Sequence, residues 1–296
     1  MSANRRDMAV AIGIDLGGTW MRVRATGGNR PALTRRRPAP PPHAVEKTLL
    51  RVWSDGGWQA GDVATLVIAA RGVWTAADRR ALARRLAPLA RRVVALSDAE
   101  AALLGGLSGE PGVLILAGTG SIAIGHDGRG RWERAGGLGP LLGDEGSAFW
   151  IGRQWLRRAE AAARRVARRP DAVARIAGRA PLALRAARRG QRDAVPIIRE
   201  AQGHLARLAA EVARRLRLAE PVTVTWAGGL LRDPWFREGV RRALARAGVR
   251  ARWQAPRASA VVAASRLAAE LSRDGARPAR QPGQAAHWRQ RRRRAP

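Results

Sequence analysis

Residues 10–25 read VAIGIDLGGTWMRVRA, and this stretch decides the fold. The apolar residues at 10–14 are typical of a buried strand, and the paired glycines at 17 and 18 predict a tight turn. Beyond the turn, apolar residues at 21, 23 and 25 alternate with arginines, which is the period of a half-buried strand. The stretch therefore predicts a β-hairpin and not a Rossmann fingerprint, in which a helix follows the glycines.

The same order of features recurs in residues 113–125, VLILAGTGSIAIG. In both halves of the chain a further turn leads to a candidate third strand, at 32–36 and at 131–134. Alternating helical and strand patterns follow each three-stranded meander, and a helical insertion at 145–218 interrupts the second half. The sequence thus predicts an α/β fold made of two similar halves that meet at a cleft.

The first glycine-rich turn is a candidate phosphate site. Asp15 ends the strand, and Gly17 and Gly18 let backbone N–H groups approach a phosphate closely. Thr19 adds a hydroxyl donor, and Asp15 is a candidate magnesium ligand that would act through water. A plain hairpin turn is the alternative interpretation, and this motif by itself favours neither.

A second glycine-rich turn favours phosphate binding, because two such turns could hold the β- and γ-phosphates of ATP from opposite sides of a cleft. The residues of this turn are Gly118, Thr119, Gly120 and Ser121. A third glycine pair, Gly228 and Gly229, lies between a strand and a helix, where adenosine could lie against the backbone. For that pair alone, a flexible helix entry is the stronger interpretation.

These features occur in the order found in a known superfamily. The two turns and the glycine pair resemble the phosphate-one, phosphate-two and adenosine motifs of the actin/hexokinase superfamily. Residues 136–147, GGLGPLLGDEGS, closely resemble the signature of the N-acetylglucosamine kinase group in the BadF/BadG/BcrA/BcrD family. The match covers nearly the whole chain apart from its ends and the helical insertion.

The resemblance implies two ribonuclease-H-like (actin/hexokinase-type) domains with an interdomain cleft. Residues 1–107 form the first domain, completed by a C-terminal helix at 258–272. Residues 108–257 form the second domain, and residues 273–296 are expected to be a basic disordered tail. The implied activity is an ATP-dependent kinase, with Mg²⁺, that phosphorylates an amino sugar such as N-acetylglucosamine or glucosamine.

Asp98 is the catalytic base that the resemblance implies. It ends a strand at the expected cleft and would take a proton from the attacking sugar hydroxyl. Ser97 and Glu100 also form the pattern of a helix-capping box, and both interpretations can hold, because a helix dipole keeps a carboxylate at its start ionised.

The signature at 136–147 supplies the implied sugar-binding residues. These are Gly137, Leu138, Gly139, Asp144 and Glu145, together with Asp98. Asp144 would bind sugar hydroxyls, although acidic residues at a helix start are also commonplace, and the sequence predicts that Asp144 and Glu145 open a helix.

At three positions the sequence departs from the family, and these departures leave the identity of the sugar acceptor undecided. Leu138 stands where the related kinases usually have an aromatic residue. The related kinases often have an asparagine after the third strand whose side-chain amide binds the sugar, and this sequence has no asparagine there. Arg71 occupies a loop expected to contain only small residues, where it could favour an acidic sugar or point to solvent.

The composition constrains the partners. The net charge is +32, but lysine occurs only at Lys47 and tyrosine is absent, a bias that GC-rich codons explain without a nucleic-acid function. We therefore expect no nucleic-acid partner and no membrane partner, with a sugar as the small-molecule substrate and a cytoplasmic location. The related kinases are often dimers, so a homodimer is one alternative.

Two other functions are compatible with a fold of this family. The related dehydratase activators hold an iron–sulfur cluster through cysteines, and the absence of cysteine excludes that role. A non-catalytic sensor that binds ATP or sugar remains the alternative to the kinase.

Overall fold

The computed structural model describes residues 10–18, 20–27 and 32–273. Thr19 and the basic segment beyond residue 273 therefore lie outside the described residues. The described chain forms two compact units. Of the described residues, the first unit contains those up to Gly109 and those from Arg257 to Arg273, and the second unit is Glu110–Pro256.

The strands and helices follow the alternation expected from the sequence. The strands are β1 (Val10–Leu16), β2 (Trp20–Thr26), β3 (Leu33–Pro38), β4 (Val63–Ala70), β5 (Arg92–Ser97), β6 (Gly112–Ala117), β7 (Ser121–His126), β8 (Trp132–Gly136), β9 (Val222–Ala227) and β10 (Ala251–Trp253). The helices are α1 (Val45–Asp55), α2 (Ala76–Leu86), α3 (Asp98–Leu107), α4 (Ala148–Leu156), α5 (Glu160–Ala167), α6 (Ala172–Ala177), α7 (Ala180–Arg188), α8 (Ala194–Leu216), α9 (Gly229–Arg232), α10 (Pro234–Arg246) and α11 (Ala260–Arg273).

Each unit contains a five-stranded sheet, and the two sheets have the same topology. The strand order is β3-β2-β1-β4-β5 in the first unit and β10-β9-β6-β7-β8 in the second. In both, three strands form an antiparallel meander and two more run parallel to its first strand. The predicted α/β fold of two similar halves is confirmed.

The sheet of the first unit is covered on both faces. One face packs against α1, where Leu49 and Trp53 are fully buried, and the other packs against α3 and α11. A Cβ on Gly13 would lie 2.1 Å from the backbone nitrogen of Ser265, so only glycine lets α11 approach β1 this closely. The helix near the end of the described chain therefore belongs to the first unit.

The helical insertion of the second unit is more broken than the sequence predicted. A helix was expected from residue 145, but Gly146 has a positive φ of 80° and Ser147 caps Trp150, so α4 begins at Ala148. The rest of the insertion consists of α5 to α8, of which α8 packs against β7 and α10. Among the described residues, no helix combines the length and apolar character needed to cross a bilayer.

Candidate active site

In the first unit, three charged residues meet at the carboxyl edge of the parallel strands. Ala70, the last residue of β4, pairs in register with Ser97, the last residue of β5, so Arg71 and Asp98 follow side by side. Asp15 lies near the end of the neighbouring strand β1. Because parallel strands end at the same edge, residues far apart in sequence are brought to one place.

Asp15 is held by a cross-strand ion pair. Asp15 and Arg22 are direct partners in the β1–β2 register, and Arg22 donates from Nη1 to Asp15 Oδ2 over 2.9 Å. The Asp15 side chain is 14% exposed. Burial raises the pKa of Asp15 above its ordinary value, and the Arg22 guanidinium opposes that shift.

Asp98 occupies the first position of α3 and is partly buried. Burial raises the pKa of Asp98 from 3.8 to about 6, against the hydrogen bond from the Ala99 backbone N–H. The Asp15 charge raises this pKa further, and Arg71 lowers it. The sequence predicted a carboxylate kept ionised by the helix dipole, but here burial outweighs that effect. Near neutral pH Asp98 is still ionised, and its pKa suits a general base.

The start of α3 is fixed by a buried network. The Ser97 hydroxyl accepts from the Glu100 N–H over 3.1 Å, and the Glu100 carboxylate accepts from the Ser97 N–H over 2.8 Å. This is the predicted capping box, and it is confirmed. Arg79 donates to both carboxylate oxygens of Glu100 at 2.8 and 2.9 Å. The backbone that carries Asp98 is therefore held by the reciprocal hydrogen bonds of the capping box and by the ion pair between Arg79 and Glu100.

The first turn is a hairpin, as the sequence predicted. Gly17 donates from its N–H to the Trp20 carbonyl over 3.0 Å, which closes the turn between β1 and β2. A Cβ on Gly18 would lie 2.9 Å from Nη1 of Arg71. The guanidinium of Arg71 is thus placed against the turn that was predicted to bind phosphate.

The carboxylates of the first unit fit a magnesium ion bound mainly through phosphate and water. Asp15 and Asp98 interact electrostatically, and a cation beside two neighbouring carboxylates relieves their repulsion. Mg²⁺ typically takes one or two protein carboxylates and completes its shell with water and phosphate oxygens. The described residues contain no cluster of three or more His, Asp or Glu side chains that could hold a metal by themselves.

In the second unit, the glycine-rich turn is bonded to the segment that precedes and opens α4. The carbonyls of Gly118 and Thr119 accept the N–H groups of Ala148 and Phe149 at 2.8 and 3.2 Å. The Ser121 hydroxyl donates to the Glu145 carbonyl over 2.8 Å. The signature at 136–147 thus shapes the turn directly.

Asp144 lies beneath this turn and does not open a helix. It is buried, its φ is +62°, and its Oδ1 accepts the Ser121 N–H over 3.2 Å. A Cβ on Gly120 would lie 2.8 Å from Asp144 Oδ2, so the glycine makes room for the carboxylate. Both donors of Ser121 are used within the protein, which makes Ser121 a support of the turn in this conformation.

A cavity of about 780 Å³ opens next to the second turn. Gly118, Thr119 and Gly229 line it, so the structure brings the predicted phosphate-two turn and one glycine of the predicted adenosine pair to the same cavity. Gly228 does not line it. Gly228 has a φ of +92°, and a Cβ added there would lie 2.2 Å from the Ala117 carbonyl oxygen, so glycine allows a close backbone crossing.

The helical insertion forms the opposite side of this cavity, a role that no sequence pattern indicated. Ala177 of α6 and Leu184 of α7 supply apolar surface, and Arg188 supplies charge. Arg188 is paired with Asp233, whose carboxylate also caps α10 at the Phe236 N–H. The periodicity of an amphipathic helix reveals which of its positions face the core but not which cavity the helix borders.

The predicted sugar loop is the most exposed part of the second unit's candidate site. Gly137 and Gly139 have φ values of 71° and 83°, which only glycine adopts easily. Leu138 between them, at the position where the resemblance implies an aromatic residue, is 62% exposed. Glu145 is partly buried and contributes its backbone carbonyl to the second turn.

The chain belongs to the BadF/BadG/BcrA/BcrD ATPase family, whose model matches residues 12–265. The N-acetylmuramic acid/N-acetylglucosamine kinase of Clostridium acetobutylicum is 44% identical over 61 residues, which are 21% of this chain and 20% of that protein. The chain thus matches only about a fifth of the length of its curated relatives.

Solved structures share the fold over most of the chain. A candidate N-acetylglucosamine kinase from Chromobacterium violaceum has a TM-score of 0.65 at 24% identity, covering 88% of this chain and 99% of that one. A ROK family glucokinase from Streptomyces griseus, in complex with glucose and AMPPNP, has a TM-score of 0.56 at 19% identity. It covers 90% of this chain and 100% of that one. At these identities the likeness establishes the actin/hexokinase fold.

Proposed function

We propose that this protein is an ATP-dependent kinase that phosphorylates an amino sugar such as N-acetylglucosamine or glucosamine. The observation that carries the proposal is Asp98, a partly buried carboxylate at a helix start whose pKa is raised to about 6. The family membership and the sugar-kinase names among its relatives support the choice of reaction.

In this proposal Asp98 accepts the proton of the acceptor hydroxyl as that oxygen attacks the γ-phosphorus of ATP. The bond from the γ-phosphorus to the bridging oxygen breaks, ADP leaves, and the phosphoryl group is now an ester of the sugar. A base with a pKa of about 6 is sufficient, because phosphoryl transfer depends mainly on positioning and on neutralising charge.

We assign the remaining residues as follows. The N–H groups of Gly18 in the first turn and of Thr119 in the second turn bind the phosphates. The N–H groups of Gly17 and Gly118 close the two turns at the carbonyls of Trp20 and Gly120. Asp15 orients magnesium through water, and magnesium, when bound, neutralises phosphate charge. The cavity beside Gly229 takes the nucleoside, because its lining is largely apolar with few charged groups.

Asp144 is proposed to serve both substrates. Its Oδ1 holds the Ser121 N–H of the second turn, and the resemblance assigns its carboxylate to sugar hydroxyls. A carboxylate oxygen has two lone pairs, so one group can orient the turn and accept from a sugar. Binding of the sugar would then depend on the same side chain that shapes a phosphate turn.

The test is coupled ADP release by the purified protein with ATP and Mg²⁺. The acceptors are glucosamine, N-acetylglucosamine, N-acetylmuramic acid and neutral hexoses. Sugar-stimulated release by the wild-type protein, lost in Asp98→Asn, is the expected result. ATP binding without stimulation by any acceptor would contradict the kinase and favour the non-catalytic sensor.

A further inference from the structure

Arg71 lies at the edge that carries Asp15 and Asp98, and the structure assigns its charge no fixed ion pair among the described residues. It directly follows β4 and is exposed. Within the described part of the chain, its guanidinium forms no ion pair and no hydrogen bond. The two arginines that contact residues of this edge, Arg22 and Arg79, are instead paired with Asp15 and Glu100. Because no hydrogen bond or ion pair with a described residue fixes this guanidinium, it is available to a ligand.

The position of the guanidinium indicates which ligand this is. Nη1 lies 2.9 Å from the place that a Cβ on Gly18 would occupy, so Arg71 lies against the phosphate-one turn. The Arg71 N–H also donates to the Leu16 carbonyl over 3.3 Å, which ties the β4 end to the strand that enters the turn. Arg71 also acts on the Asp98 carboxylate electrostatically. A group held between the turn and Asp98 would therefore be within its reach.

We infer that Arg71 binds the phosphoryl group that is transferred, as a catalytic residue at the same site as Asp98. The inference rests on the proposed kinase function. A guanidinium presents a planar set of N–H donors that matches two phosphate oxygens, and charge on those oxygens is what a phosphoryl-transfer site must neutralise. An acidic substituent on the sugar is the competing partner, but the contact with Gly18 favours the phosphoryl group.

The first arm of the test measures nucleotide binding by calorimetry, with Mg²⁺ and either AMPPNP or ADP. Arg71→Ala should weaken AMPPNP binding by about tenfold or more while ADP binding is unchanged, because only AMPPNP has a γ-phosphoryl group. Arg80→Ala is the matched control, since Arg80 is an exposed arginine of the same unit on α2. Equal affinities of the wild-type protein and Arg71→Ala for AMPPNP would overturn the inference, as would a wild-type protein that binds no AMPPNP.

The second arm measures turnover with whichever acceptor the wild-type protein uses. Arg71→Ala should lower kcat by about 10²–10³-fold, with a small change in KM for the sugar, and Arg71→Lys should recover part of the loss. Because Arg71 lowers the pKa of Asp98, its removal should also move the acid limb of the pH–rate profile to higher pH. A purely structural role would not move that limb.

The two arms separate this inference from the proposed function. If Arg71→Ala loses the preference for AMPPNP over ADP but the wild-type protein phosphorylates no sugar, the kinase proposal and the catalytic role of Arg71 fail, and only its binding of the γ-phosphate stands. If sugars are phosphorylated and Arg71→Ala loses activity only with N-acetylmuramic acid, Arg71 selects the acceptor and the inference is wrong.

Discussion

The two glycine-rich turns stand at equivalent places in two sheets of the same topology, yet they are supported differently. In the described part of the first turn, one backbone bond closes the hairpin, and charged side chains stand beside it. The second turn is bonded to the start of α4 by three hydrogen bonds from Ser121, Ala148 and Phe149, and Asp144 lies beneath it. This difference in support underlies the roles proposed above, in which the reacting groups lie beside the first turn and the second turn is a preorganised binding site.

The largest effect is expected at Asp98, which lies at the same strand edge as the first turn. Asp98→Asn should lower kcat by about 10²–10⁴-fold, because the amide cannot accept the acceptor proton. Steady-state kinetics with the best acceptor measures it. Asp78→Asn is the matched control, since Asp78 also lies in the first turn of a helix in the same unit and should affect only stability. If Asp98→Asn keeps the wild-type turnover, Asp98 is not the base, and the proposed chemical role of the region beside the first turn is wrong.

The pH dependence of kcat/KM is a second test of the role of Asp98. With the pKa of Asp98 at about 6, kcat/KM should fall by about tenfold per pH unit below that value, since only the ionised base acts. Burial also means that the folded protein binds this proton more tightly than the unfolded chain, so the contribution of Asp98 to stability falls as pH rises from 3.8 to about 6.

The resulting stability difference can be measured by thermal unfolding. Asp98→Asn should have a higher Tm than the wild-type protein above pH 6, and the gain should disappear near pH 4. A lower Tm at pH 7 would mean that burial does not raise this pKa.

The second turn should respond to packing rather than to charge. Gly120→Ala places a methyl group against the Asp144 carboxylate and should cost about 1–3 kcal/mol of unfolding free energy. Gly118→Ala meets no atom within 4 Å and should change unfolding free energy by less than about 0.5 kcal/mol. Urea denaturation of both variants tests this pair. Equal losses would show that Asp144 does not support the turn.

The smallest effect is expected from the ion pair of the first turn. Arg22 is 37% exposed, so Arg22→Gln should cost less than about 1 kcal/mol of unfolding free energy while raising the pKa of Asp15 further. Arg24→Gln, on the same face of β2, is the control. A loss above 2 kcal/mol would mean that the first turn, like the second, depends on a fixed internal bond.

The departures from expectation have a physical cause. The sequence assigned Asp144 and Glu145 to a helix start because acidic residues favour that position. In the structure, Gly146 and the αL backbone of Asp144 postpone the helix to Ala148, so the Asp144 carboxylate reaches Ser121 instead. Such a contact joins residues 23 positions apart and leaves no periodic trace in the sequence.

The sequence by itself determined the two meanders, the glycine turns and the capping box of α3, because each depends on residues within one turn or one strand period. Only the tertiary structure decided that Arg71 stands beside Gly18 and Asp98, and that α6 and α7 border the cavity of the second unit. Arg71 and Asp98 are neighbours because two parallel strands end at the same edge, and the cavity forms where separate helices pack together. Burial at the strand edge also raises the pKa of Asp98. Local patterns specify each element, whereas the chemistry depends on what the folded chain places next to it.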